Sequence, residues 1–224
     1  LSHLLSADCR TGYAIHVVND CTPEPDLAED LRQLARDGLI TLMENASNKG
    51  FVASINMACA VNGSRDVVWL NADTEVFDGW IDRLRAAAYS APRVASVTPL
   101  TNNGTIASYP RFNTDNSGSL ETSWADLDRL AARFNSGQRI SAPTGVGFCM
   151  YIRRDCLDTV GYFDEATFGR GYGEENDWCQ RAEQAGWKNY QVANCFVYHE
   201  GGVSFGEEQD PRVEAALRLL DEKY

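Results

Sequence analysis

The 224-residue sequence carries 20 Lys and Arg against 32 Asp and Glu, a formal net charge of −12, with 44% apolar and 23% charged residues. This is the composition of a soluble globular protein with enough chain for one substantial core, so a single α/β domain over residues 1–224 is expected. The acidic balance, with no cluster of Lys or Arg, argues against nucleic acid as a partner, and no apolar run approaches the roughly 20 residues a membrane-spanning helix needs.

Leu1 to Arg10 shows no basic stretch followed by an apolar one, so no signal peptide is read there. The sequence starts with Leu, and a piece of a longer chain is expected. Tyr13 to Val18 reads as a buried strand ending in Asn19-Asp20. Glu24 to Arg36 reads as a helix with Leu27, Leu31 and Leu34 at helical spacing, ended by Gly38. Leu39 to Met43 is a short strand. Ser47 to Val61 is a second helix, with Ala53, Met57 and Ala60 on one face. Asp66 to Leu70 is a strand buried on both sides, Val76 to Ala88 a helix, and Val94 to Thr98 a strand. This alternation predicts a mostly parallel central sheet covered by helices on both faces. Ligands of such sheets bind beyond the carboxyl ends of the strands, which puts Asp20 and Asn71 to Asp73 on one rim.

Thr101 to Gly118 is rich in Asn, Gly, Ser and Thr and reads as loop. Leu120 to Phe134 is helical. Thr144 to Arg153 is a strand feeding the helix Arg154 to Val160, and Glu174 to Ala185 is a helix ended by Gly186. Lys188 to Ala193 and Cys195 to His199 read as two strands, and Pro211 to Lys223 as a closing helix. The seven cysteines include no CxxC pair, which disfavours zinc ribbons and thioredoxin-like sites. They read as mostly buried, reduced thiols of a cytosolic protein.

Three blocks carry chemistry, each with a plainer alternative. In Gly173-Glu174-Glu175-Asn176-Asp177, two adjacent carboxylates open a helix, and one can accept a proton from a hydroxyl group. Acidic residues are also simply favoured in a first helical turn. In Leu70-Asn71-Ala72-Asp73-Thr74, a carboxylate just past a buried strand can hold a hard cation that grips diphosphate oxygens. Capping of the next helix by Asp73 or Thr74 is the commoner role for an isolated Asp-Thr. In Tyr198-His199-Glu200-Gly201-Gly202, a His at a strand end can complete a metal site or serve only the fold.

Together with Val17-Val18-Asn19-Asp20-Cys21-Thr22, Asn48-Lys49-Gly50-Phe51 followed by Asn56, Thr144 to Arg154, and Gly161-Tyr162-Phe163-Asp164-Glu165, these blocks occur in the order found in glycosyltransferase family 2. The sequence resembles that family from about residue 12 to about 206. The resemblance implies the GT-A fold, a Rossmann-like α/β sandwich, and an inverting enzyme that takes a sugar from a nucleoside-diphosphate sugar with the help of Mn²⁺ or Mg²⁺. It implies Glu175 as base with Glu174 beside it, and Asp73 and His199 as metal ligands. Asp20 would read the nucleotide base, Asn71 would stand in the DxD-type motif, and Asp177 would lie on the substrate side or stabilise its helix. Asn102 and Asn103, in the loop on the same rim, would shape the sugar pocket or form a plain turn.

The implied partners are the nucleotide-sugar donor and a glycan or lipid-linked sugar acceptor. The implied location is cytoplasmic, peripheral to the inner membrane face through parts outside this chain. Three departures from the family pattern stand out. Asn71 replaces a carboxylate, Glu175 replaces the usual Asp, and the family's first strand would precede Leu1, with Leu1 to Ala7 as the helix after it. A non-catalytic sugar-nucleotide or glycan-binding domain is the alternative from another class. A nucleotidyltransferase is a third, although no Gly-rich basic phosphate loop is visible.

Overall fold

The computed structural model describes residues 1–61, 63–116, 118, 122–169, 171–201 and 209–224. Its first half contains α1 (Ser2–Ser6), β1 (His16–Asn19), α2 (Pro25–Arg36), β2 (Thr41–Glu44), α3 (Phe51–Val61), β3 (Val67–Leu70), β4 (Thr74–Glu75), α4 (Trp80–Ala88) and β5 (Val94–Leu100). A 3-10 turn at Thr105–Ala107 leads on to α5 (Trp124–Phe134), β6 (Arg139–Ala142), β7 (Cys149–Ile152), α6 (Arg154–Val160) and α7 (Glu165–Phe168). The chain closes with α8 (Glu174–Gln184), β8 (Lys188–Phe196), β9 (Tyr198–His199) and α9 (Gln209–Lys223).

Five strands form the central sheet in the order β3-β7-β5-β8-β6. Strands β5 and β8 run parallel, while β3/β7, β5/β7 and β6/β8 are antiparallel. The sheet is therefore mixed rather than mostly parallel. Periodicity distinguishes strand from helix but carries no direction, and β7 inserts between β3 and β5 running against both. The parallel expectation holds for β1 and β2, joined across α2 in a separate two-stranded pair.

Helices do cover both faces of the sheet. Along β7, Cys149 and Tyr151 pack towards Trp80, Ile81 and Leu84 of α4, while Met150 and Ile152 pack towards Cys156, Leu157, Trp178 and Cys179 of α6 and α8. This is the two-residue alternation a strand imposes. On β5 the alternation slips, because Val94 and Ser96 pair with the consecutive residues Lys188 and Asn189 at a bulge. Trp178 is completely buried, and its indole donates to the Gly161 carbonyl oxygen at 2.8 Å, tying α8 to the end of α6.

Several sequence readings shift. The buried face of α3 is Val52, Ser54 and Cys59, not Ala53, Met57 and Ala60. Cys59 faces inward to accept from the Trp69 indole at 3.1 Å. Leu27 is exposed, and α2 buries Ala28 and Leu31 instead. The two strands read at the end of the chain merge into β8 and the short β9. Strands β4 and β6 and helix α7 were not read from the sequence, where none of them stands in a longer apolar run. The reading of Leu120 as a helix start and of Gly202 in the His block lie outside the described residues. Five cysteines are buried, Cys9 is partly buried, Cys21 is exposed, and all seven are free thiols. Among the described residues, no helix is long and apolar enough to cross a membrane.

Candidate active site

Asp73 and His199 are brought together by the small antiparallel pair of β4 and β9, in which Thr74 is opposite His199. The Asp73 carbonyl oxygen accepts from the Glu200 amide at 3.0 Å, and its Oδ2 accepts from the Gly201 amide at 3.1 Å. Its Oδ1 lies 3.5 Å from Nε2 of His199. Just past β3, the Asn71 amide donates to the Phe148 carbonyl oxygen at 2.9 Å, and its side-chain nitrogen stands 3.3 Å from the same His199 Nε2.

His199 is held on every side. The Asn103 carbonyl oxygen is 2.6 Å from Nδ1, and a carbonyl can only accept, so Nδ1 carries a proton and Nε2 is turned towards Asp73. Asn102, fully buried, takes the His199 backbone in both directions: its Nδ2 donates to the carbonyl oxygen and its Oδ1 accepts from the amide, each at 2.8 Å. The Phe148 ring stacks on the imidazole with centroids 5.3 Å apart. Burial works to lower the His199 pKa, but the Asp73 carboxylate and the Asn103 carbonyl outweigh it, and the net shift is upward. Burial likewise opposes ionisation of Asp73, yet His199 and the Gly201 amide bring its pKa below the ordinary value.

The donor set suits a hard divalent cation. One carboxylate oxygen sits beside an imidazole nitrogen whose tautomer is fixed by a carbonyl on the far side of the ring. Among the described residues there is no group of three or more His, Cys, Asp or Glu side chains able to hold a metal ion. Asp73 and His199 thus offer two ligands, and an ion seated there would take the rest of its shell from water or from the oxygens of a bound diphosphate.

The second half of the site is the start of α8. Gly173 precedes it with φ 87°, Glu174 is only 5% exposed, and Glu175 is half-buried. Each glutamate has an Oε2 sealed from solvent with no hydrogen-bond partner among the described residues. Burial, then the charge of Glu175, pushes the Glu174 pKa up to about 8. Burial also raises that of Glu175, against the lowering effect of nearby backbone amides. A carboxylate short of partners and of solvent is a better proton acceptor than a hydrated one.

The two halves meet at the turn that enters β7. Thr144 donates to Asn176 Oδ1 at 2.8 Å, and the Gly145 amide donates to Cys179 Sγ at 3.1 Å, which fastens the turn to α8. Gly147 fronts the Glu175 carboxylate, and its neighbour Phe148 stacks on His199 and accepts from Asn71. Phe148 and Gly147 drew no separate attention in the sequence. Only their place in the Thr144 to Arg154 block hinted at them.

The remaining candidates have partners of their own. The Asp20 carboxylate accepts from the Lys49 and Gly50 amides at 2.8 and 2.7 Å and from Asn45 Nδ2 at 2.7 Å, so in this structure it fastens the entry to α3. Asn102 and Asn103 hold His199, the first through its backbone and the second through its ring nitrogen. Asp177 is completely buried and faces Arg181, Lys223 and Tyr224, partners that suit a helix-stabilising role.

Residues 1–161 match the family described as glycosyl transferase family 2. Two curated relatives, both named N-acetylglucosaminyl-diphospho-decaprenol L-rhamnosyltransferase, come from the CDC 1551 / Oshkosh and H37Rv strains of Mycobacterium tuberculosis. Each is 26% identical over 194 residues, covering 75% of this chain, and the chain spans 61% of their length. Among solved structures, GalNAc-T7 with UDP, GalNAc and Mn²⁺ superposes with a TM-score of 0.67 at 19% identity, covering 93% of this chain and 41% of that one. The mannosyltransferase PcManGT of Pyrobaculum calidifontis, in complex with GDP-Man and Mn²⁺, does so with 0.62 at 14% identity, covering 94% and 54%. At such identities these two structures speak for the fold alone, a GT-A fold with a mixed sheet.

Proposed function

Because this chain belongs to glycosyl transferase family 2 and is a glycosyltransferase using a nucleotide-sugar donor, we propose that it transfers the sugar with inversion, in one displacement, to a hydroxyl of a glycan or lipid-linked sugar. The observation that carries the reading is the pairing of Glu175, short of partners behind Gly147, with Asp73 and His199 across a two-residue turn.

Glu175 takes the proton from the acceptor hydroxyl as that oxygen attacks the anomeric carbon, and the bond to the nucleoside diphosphate breaks on the opposite face. Glu174, holding its proton near neutrality, stays uncharged and so spares Glu175 a second negative neighbour. Asp73 and His199 hold Mn²⁺ or Mg²⁺, which when bound stabilises the charge gathering on the leaving diphosphate. Asn102, Asn103 and Phe148 keep the imidazole in place for that role. Asp20 reads the nucleotide base, its carboxylate oriented by the Lys49 and Gly50 amides and by Asn45.

The names of the mycobacterial relatives favour a lipid-linked sugar acceptor and cell-surface polysaccharide assembly. The buried free thiols suit a reducing compartment, hence the cytoplasmic side, at the inner membrane face. The test is a panel of UDP-, GDP- and dTDP-sugars with Mn²⁺, with and without a polyprenyl-diphosphate-linked N-acetylglucosamine. Nucleoside diphosphate release that needs both acceptor and metal, giving a product of inverted anomeric configuration, is the expected result. A retained configuration, or full activity after exhaustive chelation, would refute it.

A further inference from the structure

The helix carrying Glu174 and Glu175 follows a run of residues with positive φ. Gly169, Gly171, Tyr172 and Gly173 have φ of 55°, 141°, 72° and 87°, and none of them lies in a helix or strand. Glycine occupies this region without steric cost and so also without being confined to it. Contacts from neighbouring elements add to the hold on the first turn of α8.

Beside the turn at Thr144 and the end of α6, two of these elements are α7 and α9. A β-carbon at Gly173 would lie 2.9 Å from Cε1 of Phe168 and 3.0 Å from Cβ of Ala216, so both helices close on the residue before Glu174. One turn further, the Asp177 carboxylate is completely buried, a state that needs compensating partners. Its Oδ2 accepts from Arg181 Nε at 2.8 Å, within the same helix. Its Oδ1 accepts from Lys223 Nζ at 2.6 Å and from the Tyr224 hydroxyl at 2.8 Å, both at the end of α9. The Tyr224 hydroxyl also reaches the Asp177 carbonyl oxygen at 3.3 Å.

The same Lys223 Nζ meets Asp164 Oδ2 at 2.9 Å. Asp164 caps α7 by accepting from the Thr167 amide, and Lys223 with Thr167 holds its pKa down at about 2. One ammonium group thus spans both flanks of the glycine-rich approach, from the cap of α7 to the first turn of α8.

We propose that Lys223, assisted by Tyr224, is a positioning residue for sugar transfer: by bridging Asp164 and Asp177 it fixes the first turn of α8 so that the Glu175 carboxylate stays in front of Gly147. The proposal rests on the reading of Glu175 as base. A base displaced by about 1 Å can lose on the order of a hundredfold in rate, so a contact remote from the substrate acts on turnover before it acts on binding.

Lys223→Met keeps the alkyl stem and removes the ammonium, and Lys223→Arg restores a cation. With whichever donor the wild-type protein turns over, kcat for Lys223→Met should fall about tenfold or more. Donor KM and Mn²⁺-dependent nucleotide affinity should stay within about twofold, and Lys223→Arg should recover most of the loss. Carboxyl ¹³C NMR, which needs no substrate, should show the titration of Glu174 moving down towards the ordinary carboxylate range as water enters the loosened turn. Unchanged kcat and unchanged Glu174 titration in Lys223→Met, beside an inactive Glu175→Gln, would overturn the positioning role alone. Loss of donor affinity in step with kcat would also overturn it, by pointing to general unfolding. Near-normal turnover in Glu175→Gln would overturn the assignment of the base and this proposal with it.

Discussion

Gly147 faces the carboxylate of Glu175 so closely that a β-carbon added at Gly147 would lie 3.9 Å from its Cδ and 4.0 Å from its Oε1. Those are ordinary contact distances, so a methyl group there would not clash with the protein. It would instead fill the space from which a hydroxyl must approach the base.

Gly147→Ala should therefore fold normally and lose activity by raising acceptor KM, while Gly147→Val should lose both acceptor binding and turnover. Nucleotide affinity should be unchanged in both, because a β-carbon at Gly147 meets only Glu175 within 4 Å. Steady-state kinetics against acceptor, with nucleotide binding by calorimetry, checks the split. A loss of nucleotide binding without any change in acceptor KM would move the acceptor away from Gly147.

Asn102 should govern metal affinity without being a ligand. Its side chain makes two 2.8 Å hydrogen bonds to the backbone of His199. Asn102→Ala leaves the buried backbone groups unpaired and frees the imidazole to turn, and losing such an outer partner typically costs about 10- to 100-fold in metal affinity or activity. Mn²⁺ titration in the presence of nucleoside diphosphate should show that weakening. Unaltered Mn²⁺ affinity in a folded variant would mean that His199 does not take part in holding the ion.

The two asparagines also mark how far the sequence could be read. Asn102 and Asn103 were legible as residues on the functional rim, because they follow a strand end. That they face His199 was not, since their partner lies 96 or 97 residues on and the pairing depends on a two-residue strand with no periodic signal. Asp73, His199 and Glu175 were legible by their order along the chain and their place at strand and helix ends. The direction of β7 was not legible, because alternating burial looks the same whichever way a strand runs. Asp20 and Asp177 show the opposite limit: a carboxylate at a strand end or in a first helical turn fits two roles from sequence, and its donors in three dimensions, backbone amides for one and Lys223 for the other, carry no sequence signal.

Glu174 should make stability fall as pH rises. Its pKa is raised from 4.5 to about 8 by burial and by Glu175, so the folded state keeps a proton that the unfolded chain sheds. The unfolded state then binds fewer protons, and the slope of unfolding free energy with pH is negative between those values. The contribution is fully present below about pH 4.5 and is lost as pH climbs towards about 8. Glu174→Gln is neutral throughout, so its melting temperature should gain on the wild type steadily from pH 5 to pH 8. At about 1.4 kcal/mol per pH unit, the cumulative difference is bounded at a few kcal/mol. Parallel melting curves at every pH would show that Glu174 is solvated and ionised in the native state.

Glu175→Gln is the decisive variant for the chemistry. The amide keeps the size of the side chain and its place before Gly147 but cannot accept the acceptor's proton. General-base catalysis typically contributes about 10²- to 10⁴-fold, so turnover should drop within that range. Asp73 and His199 are untouched, so metal-dependent nucleotide binding should stay as in the wild type. The neighbouring Glu174→Gln should lose much less, since a carboxyl that already holds its proton near neutrality is replaced by another uncharged group. If the ranking of the two variants were reversed, the base would be Glu174 and the same displacement would run from the adjacent carboxylate. If both variants and their double mutant transferred sugar at near-normal rates, the acidic start of α8 would serve only the helix, and the proton acceptor would have to be sought elsewhere on the rim.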